Sequence, residues 1–120
     1  MASTSTSLFT LNSNSRPVFD GKNYEFWRIQ MRTIFISEDL WEIVEDGYVE
    51  DTEELTAAKR KELKETKQKD AKALTLVHQC VSKTIFSRIS GATTSKDAWD
   101  ILKQQYQGFE KVVAMKLQNS

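Results

Sequence analysis

Phe19-Asp20-Gly21-Lys22-Asn23-Tyr24-Glu25-Phe26-Trp27 is the stretch on which the fold turns, because a leader rich in Ser, Thr and Asn gives way there to the first apolar periodicity. Gly21 supplies a backbone turn that a side chain resists. Asn23 reads as the N-cap of a helix, its side chain accepting from the amides of the next turn, and Glu25 places negative charge at the positive end of that helix. From Tyr24 the large residues recur at Trp27, Met31, Ile34 and Phe35, the i, i+3, i+7, i+10, i+11 spacing of one buried face. Such a face requires a partner. Nothing in the stretch is chemically reactive, so its role must be argued from what it packs against.

Upstream, Met1 to Arg16 has only Leu8, Phe9 and Leu11 as apolar anchors, and residues 1–17 are expected to form a mobile leader. Pro17 imposes an extended approach, after which Val18 and Phe19 tuck against the first helix in the manner of a hydrophobic staple. Downstream, Ser37-Glu38-Asp39 interrupts the apolar pattern and offers a new cap. Leu40, Ile43 and Val44, with Trp41 beside them, predict a short helix that Gly47 ends.

The segment Glu38–Glu54 then carries nine acidic residues and no basic one, whereas Lys59–Lys72 carries seven basic and three acidic. The two segments are expected to lie near one another. The basic stretch lacks Gly and Pro and predicts a helix starting near Thr52 or Thr56, with Glu65 and Lys69 as an i, i+4 pair. Its apolar continuation, Ala73, Leu74, Leu76, Val77, Cys80, Val81, Ile85 and Ile89, predicts one long central helix that runs to Gly91 and forms the spine of the core. Thr94 with Asp97 resembles a capping box. The helix it opens presents Ala98, Trp99, Ile101, Leu102 and Tyr106, and Gly108 closes it. Phe109, Val112, Val113 and Leu117 begin a further stripe, so that residues 18–108 read as one helical domain and 109–120 as the start of a helix cut short. The fold class is all-α, four to five helices.

Composition narrows the function. Seventeen basic residues balance seventeen acidic ones, which removes any general attraction for a polyanion. Cys80 is the only cysteine, so an internal disulfide and a Cys-rich zinc knuckle are both excluded, and a reducing compartment is the simple expectation. The first seven residues carry no basic charge, no apolar run reaches the length of a secretory signal or membrane span, and Ala2 stands where an N-myristoylation signal needs Gly.

Three blocks carry a family resemblance. Phe19, Gly21, Asn23, Tyr24, Trp27 and Met31 form the first; Leu40-Trp41-Glu42-Ile43-Val44 with Gly47 the second; Ala98-Trp99-Asp100-Ile101-Leu102 with Tyr106-Gln107-Gly108 the third. In order and spacing they resemble the Gag polyprotein of plant copia-type LTR retrotransposons, over roughly Val18 to Leu117. The resemblance implies the N-terminal half of a capsid region, a structural protein that self-associates into cytoplasmic virus-like particles, with itself or longer Gag chains as partner. In that family a second helical half and a Cys/His zinc knuckle follow, and RNA packaging is assigned to the knuckle. A different class of function, a truncated or domesticated Gag-derived adaptor that binds a host protein or interferes with Gag assembly, is the alternative.

No catalytic, cofactor-binding or metal-binding constellation is found. His78 is the only histidine and has no metal-binding partner at i+4, so it reads as a packed, hydrogen-bonded helix residue, and Cys80 as a small buried apolar one. The acidic run lacks the order of a calcium loop. Lys59, Arg60, Lys61, Lys64 and Lys67 are candidates for a weak RNA contact, against the plainer reading of a solvated face, since no aromatic residue is interleaved for base stacking. Trp27, Trp41 and Trp99 read as core; one of them partly exposed would mark a contact surface.

Overall fold

The computed structural model describes residues 16–50 and 54–108. The leader anchors Leu8, Phe9 and Leu11, the alternative helix start at Thr52 and the stripe from Phe109 to Leu117 lie outside the described residues.

Among the described residues five α-helices follow in order: α1 (Tyr24–Ser37), α2 (Trp41–Asp46), α3 (Ala57–Gln79), α4 (Lys83–Ile89) and α5 (Ser95–Leu102), and the last runs into a π-helical turn at Lys103–Gln107. Among the described residues the only β contact is an isolated parallel bridge between Phe19 and Val81. Helix α1 buries Tyr24, Trp27, Met31 and Phe35, as its spacing predicts. Its start differs from expectation. Asn23 occupies the N-cap position, but its side chain makes no capping bond and its backbone is left-handed, φ 58°. Asn tolerates that conformation better than most residues, and here it serves the turn. Gly21 at φ 106° shares the reversal.

The cap expected from Ser37-Glu38-Asp39 is likewise not made. Leu40 is the N-cap of α2 and has no side-chain bond, while Asp39 takes φ 58° and lets the Leu40 amide donate back to the Phe35 carbonyl at 2.7 Å. The carboxylates of Glu38 and Asp39 are used elsewhere. Thr56 does cap α3, accepting from the Lys59 amide at 3.2 Å, and Thr94 caps α5 by accepting from the Asp97 amide at 3.2 Å.

The long central helix is two helices. After Gln79 the chain leaves the helical ladder for three residues, Cys80-Val81-Ser82, and re-enters as α4 under a Ser82 cap that accepts from Ile85. The break is held by Phe19, whose amide donates to the Cys80 carbonyl and whose carbonyl accepts from the Ser82 amide, both at 2.9 Å. Gly91 therefore follows α4 and does not terminate a continuous spine. The hub of the packing also shifts. Helix α5 touches α2, α3, α4 and the π-helical turn, and buries Ser95, Ala98, Trp99 and Leu102. The amino-terminal part of α3, from Ala57 to Lys69, contains no buried residue and extends from the core as an arm.

Gly47 stops α2 at φ 71°, ψ −162°, a conformation that essentially only glycine adopts, and an added Cβ would lie 2.8 Å from Cδ of Lys96. Gly91 has no positive φ and open space around it. In chemical denaturation Gly47→Ala is expected to lose about 1–3 kcal/mol, whereas Gly91→Ala should change stability by no more than about 1 kcal/mol. Equal losses at the two positions would contradict this assignment.

Candidate functional site

The three sequence blocks converge in one aromatic cluster. Phe19 stacks on Trp27 with centroids 5.2 Å apart, and meets Tyr24 at 5.6 Å and Tyr106 at 4.8 Å edge to face. Trp27 approaches Trp99 at 5.5 Å, and Trp99 in turn meets Phe35 at 5.5 Å and Trp41 at 5.8 Å, both edge to face. The first block thus touches the third directly and reaches the second through Trp99. Offset and edge-on contacts of this kind add to what ring burial alone supplies. Phe19, Tyr24, Trp27, Met31, Leu40, Ala98, Trp99 and Leu102 are all buried, while Tyr106 is half-buried against the core.

Trp41 is the partly exposed tryptophan. Arg32 from α1 lies over its ring at 5.3 Å, a cation–π contact that covers the face left open by the core. Trp27 also carries a polar function: its Nε1 donates to the Cys80 carbonyl at 2.9 Å. That oxygen, freed at the helix break, therefore serves two donors, the Phe19 amide and the Trp27 indole.

A second buried contact ties α3 to α5. Asp70, 4% exposed, accepts from the Ser95 amide at 3.0 Å and from Ser95 Oγ at 2.6 Å, which places a negative charge at the amino-terminal end of α5. Sequence reasoning missed this pair, because an Asp among lysines reads as part of a solvated face.

The acidic and basic segments do meet. Lys69 reaches Asp39 at 3.0 Å, Lys72 reaches Glu38 at 3.1 Å, and Lys67 pairs with Glu50. Lys69 thus engages Asp39 across the fold where an in-helix pair with Glu65 was expected. The structure does not bring the five candidate RNA-contacting residues onto one free face. Arg60, Lys64 and Lys67 line one shallow hollow along the arm, and Lys59 lines another with Tyr48, Val49, Leu55 and Glu62. Lys61 is exposed apart from both.

His78 packs edge to face on Phe86 at 4.9 Å, but its Nε2 is buried and finds no hydrogen-bond partner among the described residues, which corrects the hydrogen-bonded reading. Cys80 is fully buried, as expected, and burial pushes its thiol pKa up, with the positive charge of Arg16 opposing this in part. Among the described residues no group of three or more His, Cys, Asp or Glu is placed to hold a metal, and no helix is long and apolar enough to cross a membrane.

Large apolar side chains also face outward, at Val18, Val49 and Phe86 singly and on α1 as a group. Phe26, Ile29 and Ile36 of α1 are 66%, 52% and 51% exposed. They occupy the face opposite Tyr24, Trp27, Met31 and Phe35, a feature that the general apolarity of the segment had concealed.

These observations define a small helical module, most of whose large signature side chains build its core. The family model for the gag-polypeptide of LTR copia-type elements matches residues 31–119, and the chain belongs to that family. The match takes in the second and third blocks and Met31, with Phe19 to Trp27 just ahead of it. No curated protein and no solved structure gives a significant match.

Trp27→Phe keeps a large ring and removes the indole donor, leaving Cys80 O with the Phe19 amide alone; urea denaturation should show a loss of about 1 kcal/mol. Trp27→Ala, which also empties the ring site, should cost about 3–5 kcal/mol. The Cys80 thiol should react with a disulfide reagent far more slowly in the native chain than in the urea-unfolded chain, and equal rates would contradict its burial.

Proposed function

We propose that this chain is a structural, capsid-like Gag domain that self-associates through repeated weak contacts into a virus-like particle. The reading is supported by membership of the copia-type Gag family together with one structural observation: most of the large signature side chains are buried in the core, while large apolar side chains of α1 face outward. An exposed apolar stripe on a folded domain is what a protein interface requires. A lattice forms when each subunit offers several contacts, none of which must be strong alone.

In this reading no chemical step is assigned to the chain. Its partners are other copies of itself or longer Gag chains, in the cytoplasm. RNA capture is left to a zinc knuckle elsewhere in the polyprotein, as the family resemblance implies, and of the five candidate RNA-contacting residues Lys67 is paired with a carboxylate.

Sedimentation velocity over a wide concentration series tests it. The expected result is a reversible shift from monomer to larger species as concentration rises. A strict monomer at every concentration, both for this chain and for one joined to the following half of Gag, would contradict self-assembly and leave the host-adaptor alternative in its place.

A further inference from the structure

On a helix of 3.6 residues per turn, Phe26, Ile29, Thr33 and Ile36 fall on a single stripe, diametrically opposite the buried face of α1. The helix is therefore apolar on both sides. A helix of that kind is ordinarily covered on both sides.

We infer that the outward stripe of α1 pairs with the same stripe of a second copy, antiparallel, about a two-fold axis level with Met31. The inference rests on the self-associating reading above and specifies its surface. The order of the side chains selects the occupant. A two-fold axis at that level sets Phe26 of each copy against Ile36 of the other and Ile29 against Thr33, so that a larger side chain always meets a smaller one. Because a two-fold interface uses one patch twice, the stripe must complement itself when reversed, and this one does.

The charges agree with that orientation. Along the flanks Arg28 is bonded to Glu25 and Arg32 lies over Trp41, so neither cation is left facing its own image. Antiparallel packing brings exposed Lys22, just ahead of α1, toward the end of the partner helix where Asp39 lies, its side chain 92% exposed and bonded on one oxygen to Lys69. The helix dipoles also oppose. A parallel arrangement would set Lys22 against Lys22 and Asp39 against Asp39.

Three side chains at half to two-thirds exposure offer on the order of a few hundred Å² of apolar surface per copy, below the roughly 800 Å² per partner of a stable interface. The pairing is accordingly weak and concentration-dependent. A contact of that strength serves as one of several in a lattice and does not make a permanent dimer.

The test uses the full 120-residue chain. Ile29→Glu and Phe26→Ser, each at an exposed position, should keep the circular dichroism and thermal midpoint of the wild type while weakening self-association by about tenfold or more in sedimentation equilibrium. Register is tested separately. An equimolar mixture of Ile29→Cys and Thr33→Cys chains, oxidised mildly with copper-phenanthroline in air, should give the mixed cross-linked dimer in preference to either like pair, Cys80 being buried.

Wild-type association left unchanged by both surface variants would overturn the pairing and leave self-association standing through another surface. Association without the cross-link preference would overturn the antiparallel register. If residues 109–120 cover the stripe within one chain, the oxidised mixture stays monomeric, the surface variants lose thermal stability, and the pairing fails. A wild type that never associates removes both the pairing and the reading beneath it.

Discussion

The fold hangs on one carbonyl oxygen. Where α3 ends at Gln79, the Cys80 carbonyl leaves the helical ladder and must find donors in a buried setting. Two arrive from the first sequence block, the Phe19 amide and the Trp27 indole, each at 2.9 Å. The spacing of that block follows from this requirement. Both donors must reach the same oxygen, so the chain between them must reverse, and it does so through left-handed residues at Gly21 and Asn23. Once Phe19 is fixed, its ring organises Tyr24, Trp27 and Tyr106, and Trp27 extends the cluster to Trp99 and from there to Trp41 and Phe35. The spacing of the family signature is thus the geometry of a core.

Around that core the charges have an orienting role. The arm of α3 has no buried side chain before Asp70, and a solvated helix gains little from propensity alone. It is steadied by Lys67, Lys69 and Lys72 against Glu50, Asp39 and Glu38, exposed pairs that solvent screens and that each contribute little alone. Asp70 anchors the base of the arm to Ser95 in a buried and therefore stronger contact. A balanced net charge thus conceals an internal arrangement in which acid and base are segregated along the chain and rejoined in space.

Periodicity made much of this readable before any coordinates. The buried face of α1, the cap at Thr94, the stop at Gly47 and the core positions Ala98, Trp99 and Leu102 all follow from local rules, which left the start of α3 open between Thr52 and Thr56. Local rules failed where a distant partner decides. The apolar stripe runs through Cys80, Val81 and Ile85 with no Gly or Pro to mark the break, and it is Phe19 and Trp27, more than fifty residues away in sequence, that hold the chain there. Ser82, a good cap residue ahead of Lys-Thr-Ile, was the one local hint. Asn23 marks the helix start by its residue type, but that type does not distinguish side-chain capping from left-handed turning, which draw on the same residues. The second stripe of α1 was hidden because a helix apolar on two faces looks, in one dimension, merely apolar.

Native-state hydrogen exchange on the Phe19 amide, the Ser82 amide and the Trp27 indole tests the central claim most directly. If the Cys80 junction is the knot on which the fold depends, all three protons exchange only through global unfolding, with the same free energy and the same denaturant dependence as the most protected core amides of α5. Exchange of any of them through a local opening, with α5 still protected, would show that the helix break is an ornament on the aromatic core and would contradict the account.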